Sequence, residues 1–262
     1  MRFSFADEAP QLILAKAPLV QAMCQVRFAP VPELVDDDNE RRLAAALEDD
    51  YPIRGTVQGA QLALFGGQAN PPFETFRTFE DVDNTWKVTL SQDAMTLETR
   101  AYQDRDDLID RAAKVLAVLS KVKQPPKVTR IGVRYTDQVL KPESLRTLVR
   151  PSLIGMLADT EDDALVEHQS TQVGLRDSNN SQVLVRSLML PPNAQFDPNI
   201  VAVSDPSWVL DIDASNQDAM PYEVDRIIQV ARLLAKRAYQ VFYWAVTDEF
   251  RAQFREDKGD QA

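Results

Sequence analysis

One cysteine and one histidine in a chain of 262 residues exclude a large share of site chemistry at the outset. With Cys24 alone, no intramolecular disulfide forms and no cysteine-based zinc site is completed, which reads as a reducing, cytoplasmic compartment. With His168 alone, H-E-x-x-H and other multi-histidine metal sites fail as well. Glycine is scarce, at eight residues. Neither G-x-x-x-x-G-K-[ST] nor G-x-G-x-x-G occurs, so nucleotide binding by those two routes is excluded. No run approaches the roughly 18 apolar residues of a spanning helix. The opening MRFSFADEAPQLILAK sets two acids and a proline before a three-residue apolar run, unlike a secretory signal. No membrane, metal or cofactor is expected.

Bases are the minority charge: 29 against 40 acids, a formal net charge of -11. General binding to nucleic-acid backbone needs clustered cations and is not expected. A basic protein partner is compatible with this balance, through charge complementarity that speeds encounter. Hydrophobic content of 44% and charged content of 26% are ordinary for soluble domains. The length allows one large domain or two small ones.

What is present is a repeated order of elements. Leu19 to Phe28 reads as a strand between Pro18 and Pro30, and DDDNERRLAAALEDDYP as a helix with acids at its positive end. Strands follow in TVQGAQLALFGG, with Leu62 and Leu64 alternating before a Gly66-Gly67 turn, and in FETFRTFED before an Asp83-Asn84 turn. TWKVTLSQDAMTLETR holds two strands about Gln92-Asp93, with Trp86, Val88 and Leu90 on one face and Met95 and Leu97 on another. DRDDLIDRAAKVLAVLSKV is a helix, its apolar Leu108, Ile109, Ala112, Val115, Leu116 and Leu119 at the 3.6-residue period.

The order then restarts. Val26-Arg27-Phe28 and Val133-Arg134-Tyr135 each close an apolar stretch that begins after a proline. The segment LRTLVRPSLIGMLAD replaces the first half's helix. Strands follow at LVEHQSTQVGLRD, SQVLVRSLML and SWVLDIDAS, and a helix of roughly 30 residues, about 45 Å if unbroken, starts at YEVDRII. Thr247-Asp248-Glu249 offers a cap that restarts it. The expected fold is α+β: two pseudo-repeated halves (strand, helix, strands, helix), a mostly antiparallel sheet and long helices packed on one face. The expected divisions are a tail over 1–17, halves over 18–125 and 126–255, and a disordered tail over 256–262.

Candidate chemistry lies on the strands. Arg27, Arg134 and Arg186, with Arg100 and Arg176 near strand ends, carry forked donors suited to phosphate or carboxylate. Glu98, Asp211 and Asp213 are the matching carboxylates, and Asp211 and Asp213, two apart on a strand, share a face where a divalent cation fits. The competing expectation is cross-strand pairing between these arginines and acids, including Glu167. His168 beside Glu167 has the pKa range of a general base. Without a G-x-S-x-G elbow, it reads as a solvent-facing or hydrogen-bonded strand residue. Cys24 alternates with Ala22 and Val26 and reads as buried packing. On the last helix Val224, Ile227, Ala231, Leu234, Ala238, Val241 and Ala245 already supply a core face. Tyr239, Tyr243, Trp244 and Phe250 are therefore assigned to a partner or homodimer contact, against the alternative of a wider core.

The phrases APLVQAMCQVRF, TWKVTLSQDAMTLETRAY, VTRIGVRYTDQV, RPSLIGML and LDID before a helix ending AVTDEFR resemble a bacterial family of about this length. RIGVRY and LETRAY are its most specific parts. It is sporadically distributed, uncharacterised and found on mobile elements. The resemblance covers nearly the whole chain, assigns no catalytic residue, and implies a role like those of antitoxins, phage-defence or prophage accessory factors. The expected function is non-catalytic binding or regulation through a protein partner. The alternative is a phosphate- or nucleotide-ligand-binding protein or enzyme using the strand arginines and carboxylates.

Overall fold

Prolines 18 and 30 bracket the first strand, β1 (Leu19–Phe28), as their positions in the sequence require. The computed structural model describes residues 3–12, 14, 16–60, 73–142, 145–160 and 168–255. After β1 come α1 (Asp37–Leu47), β2 (Ile53–Ala60), β3 (Phe73–Glu80), β4 (Trp86–Leu90), β5 (Ala94–Thr99) and α2 (Arg105–Lys123). Then follow β6 (Lys127–Leu140), α3 (Leu145–Leu148), α4 (Pro151–Ile154), β7 (Gln169–Arg176), β8 (Gln182–Leu190), β9 (Ser207–Asn216), β10 (Met220–Pro221), α5 (Val224–Ala245) and α6 (Asp248–Phe254). The fold is mixed α and β, with an antiparallel sheet in the order β2-β3-β4-β5-β1-β6-β9-β8-β7 and β10 paired to β6. The strand and turn expected over Leu62, Leu64, Gly66 and Gly67 lie outside the described residues, as do Glu167 and residues 256–262.

The chain forms two compact units: residues 21–133 with 215–235, and residues 1–20 with 134–214 and 236–262. These units interleave the chain, with boundaries inside β1, β6, β9 and α5.

In the unit of residues 21–133 and 215–235, β2 to β5 form a meander and β5 pairs with β1, Cys24 lying opposite Leu97 and Val26 opposite Met95. Val88 lies opposite Leu97 and Leu90 opposite Met95. These four share one face, which corrects the expectation that Met95 and Leu97 point elsewhere: directly opposed residues of an antiparallel pair project to the same side. The period of α2 holds, with its six apolar positions buried. Asp104 caps this helix by accepting from the Asp107 amide at 2.8 Å, and Asp36 does the same for α1 through Asn39. The turn after β3 is organised by Asp81, whose carboxylate accepts from the Thr85 and Trp86 amides, while Asn84 takes the left-handed conformation that asparagine tolerates.

In the other unit, β9 is buried along almost its whole length and β7 is mostly exposed. Trp208 is fully buried and donates from Nε1 to Ser187 Oγ at 2.9 Å. The last helical stretch is two helices rather than one. Val246 leaves the helix to bridge Val149, and the Thr247 hydroxyl accepts from the Phe250 amide, starting α6. The same hydroxyl donates to the carbonyl oxygen of Thr147 at 2.6 Å.

Candidate functional site

Arg134 and Arg186 of the strands meet acids. On β6, Arg134 and Thr136 are two apart and so project to one side. Asp211 on β9 accepts at Oδ1 from Arg134 Nε at 2.5 Å and from Thr136 Oγ1 at 2.9 Å. Its Oδ2 accepts from Arg186 Nε of β8 at 2.8 Å, with Arg186 Nη2 at 2.6 Å. The loop between β8 and β9 returns over these groups. From it Asp197 takes Arg134 Nη1 at 2.7 Å, and the Phe196 ring lies 5.7 Å from the Arg134 guanidinium and 5.2 Å from that of Arg186. An Asp-Pro-Asn turn aims the loop: Asp197 Oδ1 accepts from the Asn199 amide at 2.9 Å.

The network is dry at its centre. The Asp211 side chain is 0% exposed, those of Arg134 and Asp197 each 3%, and that of Arg186 23%. Burial works against the Arg134 charge, but the carboxylates of Asp211 and Asp197 outweigh it and hold its pKa above the ordinary value. Two guanidinium and two carboxylate charges balance. Asp137, next along β6, projects to the other side of the strand. Burial, with the Asp211 charge as a second cause, pushes its carboxyl up to about 7. The pocket beside the network, lined by Val20, Thr136, Gln138, Leu190, Phe196 and Val209 among others, offers about 10 Å³, room for one water molecule. Chemically, the arrangement fastens a loop to three strands.

The other expected site residues are dispersed. Arg27 and Glu98 belong to the unit of residues 21–133 and 215–235, whereas Arg134, Arg186, Asp211 and Asp213 belong to the other. Arg27 pairs with Asp93 of the β4–β5 turn at 2.8 Å, and Glu98 accepts from Gln21 Nε2 at 3.1 Å. Asp213 is buried on β9. Among the described residues, no group of three or more His, Cys, Asp or Glu side chains is placed to hold a metal ion. His168 is exposed just before β7, and Arg176 donates to Asn180 at the strand's other end. Cys24 of β1 is buried, and burial pushes its thiol up to about 12 despite the nearby Arg130.

No family model matches the chain, and no curated protein matches it either. The geometry therefore carries the functional argument.

The aromatic residues of the last helices meet the chain itself. Phe250 is fully buried between Phe242, 5.9 Å away, and Phe254, 4.6 Å away, so its ring belongs to the core and not to a contact surface. Tyr243 is half-buried under the Arg251 guanidinium at 4.1 Å. Trp244 packs against Phe3 at 5.5 Å and lies 5.2 Å from the Arg150 guanidinium. The Tyr239 hydroxyl donates to the Pro10 carbonyl and accepts from the Leu12 amide, both at 2.7 Å.

The sequence reading missed Phe196, Asp197, Thr136 and Asp137. For Asp197 a signal exists, since Asp-Pro-Asn in FDPN marks an ordered turn within a loop that otherwise reads as filler. The others carry none, because their roles depend on strands distant in sequence.

Proposed function

We propose that the protein is a cytoplasmic binding or regulatory factor that acts on a protein partner and not by catalysis. The observation that carries this reading is the mutual pairing of Arg134, Arg186 and Asp211. The side chains best suited to clamp a phosphate are consumed by one another and by Asp197. The adjoining space of about 10 Å³ supports the same reading, being too small for a phosphate-bearing ligand. The resemblance carried by RIGVRY and LETRAY supports a place among antitoxin, phage-defence or prophage accessory factors. The net charge of -11 favours a basic partner.

The proposed architecture is an internal duplication with its long helices on one sheet face. Strand order supports the duplication. In the first half the opening strand β1 pairs with the closing strand β5, beyond which come β4, β3 and β2; in the second, β6 neighbours β9, beyond which come β8 and β7. Along this path the second half has one strand fewer than the first, β10 lying off it beside β6.

The test is co-expression of the tagged full chain with the products of its neighbouring genes. Co-purification of one of them at fixed stoichiometry, together with a change in growth or plaque formation, is the expected result. No co-purifying neighbour and no phenotype would remove the proposal. Light scattering on the same sample reports whether the protein is a homodimer.

A further inference from the structure

Residues 3–12 run along the C-terminal part of α5 without joining a helix or a sheet. The segment makes one backbone bond of its own, from the Asp7 amide to the Ser4 carbonyl at 3.2 Å. It is otherwise held by side chains of α5. Arg237 Nη1 donates to the Phe5 carbonyl at 2.9 Å, and Gln240 Nε2 donates to the carbonyls of Phe5 at 3.2 Å and Asp7 at 2.7 Å. Tyr239 brackets Pro10 and Leu12 through its hydroxyl. Two rings anchor the segment: Phe5 lies under the Arg237 guanidinium at 5.1 Å, and Phe3 meets Trp244 edge-on. Ser4, Ala6, Asp7, Glu8, Pro10 and Gln11 are exposed.

The receiving surface is organised independently of the segment. Arg237 is fixed by Asp177 at 2.7 Å, whose side chain is 2% exposed, and it donates to Gln240 Oε1 at 3.0 Å. Its donors, with those of Gln240, address main-chain carbonyls, which any peptide presents. Detaching the segment breaks no helix or sheet hydrogen bond, so this local opening belongs to the low-energy end of the molecule's fluctuations.

We infer that this face of α5 is a peptide-binding site, occupied in cis by residues 3–12, and that a segment of the protein partner with the same turn and anchors exchanges with them. The segment that fits carries two aromatic residues two positions apart, as Phe3 and Phe5 are. Acids follow them, as Asp7 and Glu8 do here, with Glu8 4.0 Å from Lys236. Tethering gives residues 3–12 a high effective concentration at the site, so the intact chain holds a competing peptide weakly until its own anchors are loosened. This inference rests on the partner-binding reading but fails separately from it.

The probe is a fluorescein-labelled peptide of residues 1–12, MRFSFADEAPQL, titrated by anisotropy into the full chain. Expected is at least tenfold tighter binding to the Phe3→Ala/Phe5→Ala double variant than to the unaltered chain. Adding Gln240→Ala should lose that gain, and a peptide with both phenylalanines changed to alanine should not bind. Equal or absent binding to a double variant with unchanged circular dichroism would overturn the inference, even if a neighbouring gene product still co-purifies. Hydrogen exchange on the unaltered chain keeps the test decisive should the double variant not fold. The Leu12 amide is expected to exchange at least a hundredfold faster than the buried amides of α5, and equal protection would overturn the inference.

Discussion

Asp211 is a carboxylate with two arginines, a threonine hydroxyl and no solvent, and its replacement separates what burial costs from what pairing returns. Asp211→Asn leaves Arg134 under-compensated in a dry site and is expected to lower stability by about 3 kcal/mol, measured by urea denaturation. Arg27→Met, at a pair whose side chains are 34% and 20% exposed, is expected to cost less than about 1 kcal/mol. Asp137 makes stability depend on pH. Its folded pKa of about 7 stands above the value of a free carboxyl, so the fold binds a proton that the unfolded chain releases. Its contribution is complete below about pH 4, is lost as pH rises toward 7, and stays lost above that. Asp137→Asn should therefore match the unaltered chain near pH 4 and exceed it in thermal stability at pH 8, by up to about 4 kcal/mol. At this scale the sequence showed which residue types were available and that pairing competed with a pocket. The identity of the pairs was not legible, because Arg134 and Asp211 stand 77 residues apart and only the strand order brings them together.

Local signals were readable in proportion to how local the deciding forces are. The period of α2 and the acids at its start predict the helix, and its cap appears where the sequence puts it; Asp104→Ala should cost about 1 kcal/mol by thermal denaturation. The Thr247 cap was legible too. The unwinding that it follows was not, since it depends on Val149, almost a hundred residues away. The same reason explains the sidedness of β4 and β5. Each strand alternates correctly alone, but only the register, with Val88 opposite Leu97, shows that both apolar sets face the same way. The aromatic excess on α5 and α6 pointed rightly to contacts beyond a narrow stripe. What meets Tyr239 and Trp244 is the chain's own opening segment, and Phe250 lies beneath the surface altogether.

Across the whole molecule the ionisable groups singled out by their residue type are largely committed to internal pairs. Thermal-shift screening with millimolar inorganic phosphate, ATP or GTP, each with magnesium, is accordingly expected to move Tm by less than about 1 °C, since a ligand stabilises only as far as it binds the folded state. A rise of several degrees with any of them would reinstate a ligand-binding function. The antiparallel sheet was legible at this scale from hairpin-spaced strands, whereas the interleaving of two units was not, because their boundaries fall inside β1, β6, β9 and α5 and not in linkers. The Arg134–Asp211–Arg186–Asp197 network also bears on the time course of folding. Its bonds join residues 77, 63 and 25 positions apart and require three strands and the β8–β9 loop together, so they are expected to form after the barrier is crossed. Arg134→Met should accordingly hasten unfolding in stopped-flow measurements while leaving the refolding rate nearly unchanged, which makes the network a brake on the native state's escape.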